Sequence, residues 1–471
     1  MASLPLPSWG SLSYTHSPHP LQLPSKDQPN RTLPSLLQSI IPQPRLSPLL
    51  FNGHLQTAIP ALFPSAPAIH YKRRVFTADS ETFKGHFAVD FAVQPPTAGK
   101  EGEGELVTED PVGVGHTDLP ERTSYFTNAE FEALEQRETD KPLLIVLHGL
   151  SGGSHEIYLR HAIAALMASN WKTEDEGFGG GEFDVLVANA RGCAGSKITT
   201  GILYNARATW DVRQTVKWAR EKWPRRKLFG MGFSLGANIL ANKLNASQYL
   251  GEEGASCPLT SAILVSNPWT LDISHTILQS TYIGKHIYSA AMGKSMRALF
   301  ARHATEITTN TVLDPAVIEA TTYLHEFDRE VQCPTWGYPT EAAYYRDASS
   351  ADAVLAIRIP TLCLHAQDDP IACDQAVPYE EIKCTPWVVM CATSGGGHLG
   401  WVELGGERWH AKAVTAFFRA MAFEVDLKGM IVPETKAEGW AGASKYRSPF
   451  EYSPLRRKLG LAEHGELIPG T

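Results

Sequence analysis

Cysteine is sparse in this sequence, and long apolar runs are missing altogether. The 471 residues hold seven cysteines, an odd number without a C-x-x-C pair. That excludes a disulfide-built scaffold and predicts a reduced, cytoplasmic protein. No apolar run approaches the roughly 20 residues that a membrane helix needs; the best, LLIVLHGL at 143–150, falls far short. The N-terminal MASLPLPSWGSLSYTHSPHP lacks the basic start and apolar core of a signal peptide. Peripheral contact with a membrane or a lipid droplet stays open. Positive charge is not in excess either: 42 Lys+Arg against 50 Asp+Glu leave a net charge of −8, the wrong sign for a nucleic-acid binder. No His/Cys spacing suits zinc, and no G-x-x-x-x-G-K-[ST] loop would cradle a phosphate. Neither metal nor organic cofactor is expected.

What is present fits a globular chain, with 43% hydrophobic and 20% charged residues. Residues 1–47, rich in Pro, Ser and Leu, read as a loosely ordered lead-in. The domain proper spans 48–424, and 425–471 is a polar tail. Two runs, 70–76 and 85–93, alternate as antiparallel edge strands do. A Gly/Pro/Glu-rich stretch at about 95–124 reads as an exposed insertion. From about residue 140 the pattern becomes strand, helix, strand, helix. Apolar runs at 142–149, 184–192, 226–234, 261–269, 359–366 and 387–393 predict buried parallel strands. Helical spacing fills 155–169, 209–223, 235–244 and 407–423. This alternation specifies an α/β fold with a mostly parallel sheet and helices on both faces. About ninety aromatic, helical residues, 270–358, interrupt it between two strands, where a lid would sit.

Gly232-Phe233-Ser234-Leu235-Gly236 is a G-x-S-x-G sequence between an apolar strand and a helical run. In that context it predicts a nucleophile elbow, with Ser234 held exposed in a strained turn. A serine needs a base, and the base an acid, following in the order Ser, Asp, His. The strand TLCLH runs into Ala366-Gln367-Asp368-Asp369. Asp369 fits the acid because the turn places it three residues after a small residue; Asp368 would be a solvated turn residue or a helix cap. The last strand runs into Ser394-Gly395-Gly396-Gly397-His398, where glycines let the backbone carry an imidazole over the strand ends. His398 is the expected base. The oxyanion hole falls to the amides of Leu150, after the first central strand, and Leu235, after the nucleophile.

Asn52-Gly53-His54-Leu55-Gln56-Thr57, HGLSGGSHEIYLR at 148–160, NARGCAGS at 189–196, GFSLGAN, HAQDDP and GGHLGW together resemble the AB hydrolase 4 family of α/β-hydrolases. The resemblance runs from about residue 48 to 422. It includes NPWTLDISH and YLHEFDREVQCPTWGYPTEAAYYRDASS in the insertion, and it looks nearest to fungal members. Those include medium-chain fatty acid ethyl ester synthases/esterases and monoacylglycerol lipases. The resemblance implies an α/β-hydrolase fold in which Ser234, Asp369 and His398 act together. No His has an Asp five places on, so the H-x-x-x-x-D box of glycerolipid acyltransferases is absent. Asn52–Thr57 has no derivable catalytic role, and His54 reads as a structural histidine. Arg191 suits a buried salt bridge. Trp336, Tyr338, Tyr344 and Tyr345 are candidates to line an acyl pocket or to be plain core.

The expected function is a serine esterase or lipase acting on esters of short- to medium-chain acyl groups. An alternative keeps the same residues and makes esters from acyl-CoA and an alcohol. A third reading, a non-catalytic acyl-binding protein on a hydrolase fold, is weakened by the intact Ser, Asp and His.

Overall fold

The computed structural model describes residues 10–24, 31–95, 119–168, 181–244, 257–309 and 311–433. Its strands are β1 (Leu12–Thr15), β2 (Gln22–Leu23), β3 (Arg31–Thr32), β4 (His70–Thr77), β5 (His86–Val93) and β6 (Thr123–Tyr125), followed by β7 (Leu143–Leu147), β8 (Asp184–Ala188), β9 (Leu228–Phe233), β10 (Ser261–Val265), β11 (Thr361–Ala366) and β12 (Val388–Thr393). All but β2 and β3 join one sheet, in the order β1-β12-β11-β10-β9-β7-β8-β5-β4-β6.

The sheet forms where the sequence can bury both faces. Every residue of β7 to β12 is buried, and neighbouring strands within that set run parallel, as continuous Val/Ile/Leu runs require. Alternate side chains feed two cores. Leu143, Ile145, Leu147, Leu228 and Leu264 pack towards the helices Trp210–Lys222 and Leu235–Leu244. Leu144, Val146, Phe229, Met231 and Ile263 pack towards Ile157–Met167 and Trp409–Arg419. This is the period-two alternation of a strand acting on a three-layer fold.

Strands β4 and β5 pair antiparallel, but neither is at the edge. β5 also pairs with β8, and β6 pairs parallel with β4. The outermost position on that side belongs to Thr123–Tyr125, the end of the stretch expected to be an exposed insertion; residues 96–118 of that insertion lie outside the described residues. The larger difference concerns the lead-in. β1 adds antiparallel to β12, and Leu33–Ile40 is a helix capped by Thr32 and Ser35 with Pro at its start. Leu33, Leu36 and Leu37 are spaced as a helical stripe, and together with Leu21 and Leu23 they sink into the second core. Burying a leucine contributes about 1.5–3 kcal/mol, enough to order a segment whose Pro and Ser content suggests otherwise. Residues 1–9 and 25–30 lie outside the described residues. Of the tail, Val425 is buried and Ile431 bridges to Gln22; residues 434–471 lie outside them.

The insertion between β10 and β11 is helical, from Leu271–Ser280 through Glu341–Ala348. Chain order sets the functional geography. From β7 the chain moves to β8 on one side, and from β9 to β10 on the other. The sheet therefore has its switch point between β7 and β9, where their carboxyl ends leave a crevice open to a ligand.

Candidate active site

Ser234 closes β9 in a left-handed conformation, φ +50°, which costs a non-glycine residue about 1–3 kcal/mol. The structure sustains it from both sides. Its N–H donates to the Val265 carbonyl at 2.9 Å, and its own carbonyl accepts from Ala237 N–H at 2.9 Å. A Cβ on Gly236 would overlap the His148 carbonyl, and one on Gly232 would meet Gly236 and Ala237. The two glycines of G-x-S-x-G therefore let strand and helix cross closely enough to set the turn.

His398 reaches this serine from the loop after β12. Its Nε2 lies 2.9 Å from Ser234 Oγ, and its Nδ1 lies 2.8 Å from Asp369 Oδ2. The other carboxylate oxygen of Asp369 accepts the N–H groups of Ile371 and Ala372, both at 2.8 Å. Asp369 N–H in turn donates to the Ala366 carbonyl at 3.0 Å, the tight turn expected after β11. The neighbouring Asp368 is half-buried rather than solvated, and its Oδ1 accepts Gly397 N–H at 2.9 Å. Burial raises the Asp368 carboxyl above its ordinary range. It braces the histidine loop instead of capping a helix.

Leu150 and Leu235 lie beside Ser234 in the wall of a single cavity. The amides that flank Leu150 are both taken: Gly149 N–H donates to Tyr158 Oη and Ser151 N–H to Tyr204 Oη, each at 2.8 Å. The amides of Leu150 and Leu235 have no such acceptor among the described residues. Beneath this loop, His148 is buried and neutral. Burial lowers its pKa to about 4, its Nε2 accepts Ala190 N–H and its Nδ1–H donates to the Gly149 carbonyl. Further down, Ser154 Oγ and Asn189 Nδ2 both donate to Asp90, which is paired with Arg73 at 2.6 Å, both charged side chains fully buried. Arg191 pairs with Asp211 at 2.7 Å, a buried salt bridge.

The cavity encloses about 810 Å³ with its open mouth included. The insertion supplies most of its apolar wall, through Leu271, Leu278, Met292, Met296 and Leu324. Of the four aromatics proposed from sequence, Tyr344 and Tyr345 line it. Trp336 instead packs on Phe83 and Trp210, and Tyr338 on Tyr344. Sequence reasoning missed Thr57, whose Oγ accepts His398 N–H at 2.8 Å and donates to the Gly53 carbonyl at 2.6 Å. The signal was there in Asn52–Thr57: Asn52 caps the helix Gly53–Leu62, and Gln56 holds Val402. His54 stacks on Tyr288. No helix among the described residues is long and apolar enough to cross a membrane, and no group of residues there could hold a metal ion.

A family model for the alpha/beta hydrolase fold matches residues 142–402. Over 413 residues the chain is 35% identical to the monoacylglycerol lipase of Saccharomyces cerevisiae, covering 85% of this chain and 86% of that one. The chain belongs to the α/β-hydrolase family. This hydrolase is also 32% identical over 420 residues to the medium-chain fatty acid ethyl ester synthase/esterase 2 of the same yeast, across 83% and 88% of the two chains. To the putative esterase YheT of Escherichia coli it is 27% identical over 262 residues, across 56% and 71%. It is an enzyme of the lipase and esterase type.

Proposed function

We propose that this α/β-hydrolase cleaves carboxylic esters of short- to medium-chain acyl groups through an acyl-enzyme on Ser234. The observation that carries this reading is the continuous hydrogen-bond chain Ser234–His398–Asp369 at the mouth of a largely apolar cavity. Ser234 Oγ attacks the ester carbonyl while His398 Nε2 takes its proton. The imidazolium that forms keeps its Nδ1–H on Asp369, whose other oxygen is already saturated by two amides and so cannot swing away. The amides of Leu150 and Leu235 receive the developing oxyanion. His398 then protonates the leaving alcohol, and water, activated by the same imidazole, releases the acid. The apolar cavity wall takes the acyl chain, and the insertion 270–358 serves as the lid over it.

The same acyl-enzyme has a second exit. An alcohol in place of water would return an ester, with acyl-CoA as the donor. The largely apolar walls and the 32% identity to a protein named as both synthase and esterase support that exit. The test is common to both. A fluorophosphonate should label the wild type and not Ser234→Ala, and p-nitrophenyl octanoate turnover should vanish with the label. Unchanged turnover in the alanine variant overturns the proposal.

A further inference from the structure

One wall of the active-site cavity is out of character with an acyl pocket. Asp328, from the insertion, lines it while only 5% exposed. One of its carboxyl oxygens accepts the Tyr345 hydroxyl at 2.6 Å, and the other has no partner among the described residues. Gln332, one helical turn on, is 2% exposed; its Nε2 donates to the Tyr204 carbonyl at 3.1 Å and its Oε1 has no partner. Asn205 is 1% exposed; its Oδ1 accepts Arg207 N–H, and its Nδ2 has no partner. Tyr204 is the residue whose hydroxyl holds the oxyanion-side loop at Ser151. The polar wall is thus tied directly to the reacting end of the cavity.

Gln332 Oε1 and Asn205 Nδ2 are already out of the reach of water with nothing to bond them, and a plain hydrocarbon seated against the second Asp328 oxygen would leave that atom unanswered too, which buried polar groups avoid. Leucine or methionine at 328 and 332 would serve such a ligand better. Burial, reinforced by the Glu341 charge and opposed by the Tyr345 hydroxyl bond, pushes Asp328 up to about 7. A carboxyl so placed both donates and accepts. The group that answers it is a hydroxyl, which does the same.

We propose that Asp328, supported by Gln332 and Asn205, selects esters that carry a free hydroxyl group within the cavity. This deepens the esterase reading of Ser234 and rests on it. The hydroxyl has two sources, a polyol leaving group or a hydroxylated acyl chain, and both present the same chemistry to the wall.

The experiment compares matched esters by the ratio of their kcat/KM values, which cancels any loss common to both. One pair is 1-monooctanoylglycerol and propyl octanoate; the other is ethyl 7-hydroxyoctanoate and ethyl octanoate. In the wild type, the hydroxyl-bearing member of at least one pair should be preferred tenfold or more, because a site built for a hydroxyl rejects the analogue lacking it. The pair that shows the preference identifies the source. Asp328→Leu should bring that ratio close to one, Asp328→Asn should keep most of it, and Gln332→Leu should lower it. Ratios near one for both pairs in the wild type overturn the proposal, with water as the sole occupant of the wall. So does a preference that persists in both leucine variants. If Asp328→Leu does not fold, the Gln332→Leu ratio decides. Failure of the esterase reading looks different: the wild type would then turn over none of the four esters.

Discussion

Thr57 lies far in sequence from every residue with a chemical role, yet its hydroxyl sits between the Gly53 carbonyl at 2.6 Å and the His398 amide at 2.8 Å. Thr57→Val keeps the shape and removes that link. Two hydrogen bonds, each contributing about 1 kcal/mol net, are lost, and the half-buried His398 N–H is left without an acceptor at a cost of about 1–3 kcal/mol. The loop escapes this cost by moving the histidine away from Ser234 Oγ, so the fraction of molecules with the productive geometry falls. Each 1.4 kcal/mol lost in that way is tenfold in rate, which puts the expected fall in kcat between about 5- and 150-fold. KM should hardly move, because Thr57 does not line the cavity. Steady-state hydrolysis of p-nitrophenyl octanoate reads both parameters, and Thr57→Ser, which restores the hydroxyl, should recover most of the rate. A valine variant with wild-type kcat, or one altered only in KM, would refute the argument that this helix positions the imidazole.

Two further outcomes follow from buried groups. Tyr204→Phe frees the Ser151 amide and loosens the loop bearing the Leu150 amide, so kcat should drop about tenfold in steady-state ester hydrolysis; loss of a whole oxyanion donor, about 10²–10³, is the ceiling. Asp328 is raised from an ordinary 3.8 to about 7. The folded protein therefore holds its proton across that interval while the unfolded chain does not, and the stability this gives is present below about pH 4 and lost as pH rises through about 7. Asp328→Asn, which does not titrate, should gain stability over the wild type between pH 4 and 7, by about 4 kcal/mol at most, and hold the gain above that. Urea unfolding at pH 4.5 and 8 measures it; a difference independent of pH would be the contrary result.

The sheet was legible because its strands are buried on both faces and so read as unbroken apolar runs, from Leu143–Leu147 to Val388–Thr393. That Ser234, Asp369 and His398 come together was legible because each follows such a strand in a turn with few alternatives. The preference for Asp369 over Asp368 rested on one turn, and the geometry separates the two by partner: one holds the imidazole, the other a backbone amide. The strand Leu12–Thr15 and the helix Leu33–Ile40 were hidden, because Pro and Ser mask a three-leucine stripe whose core lies mostly hundreds of residues away. Thr57 and the wall formed by Asn205, Asp328 and Gln332 were hidden for a related reason. Their partners are distant backbone groups or a cavity, and no local spacing announces either.

The pairing of Leu12–Thr15 with Met390–Thr393 has a meaning for solubility. β12 reads Val-Val-Met-Cys-Ala-Thr, an uncharged ribbon without proline, and it would otherwise end the sheet with its hydrogen-bonding groups unpaired. Such a margin is a template for another chain. The short ribbon acts as a selvedge on the fabric: trimmed away, it would leave a sticky seam open to another chain.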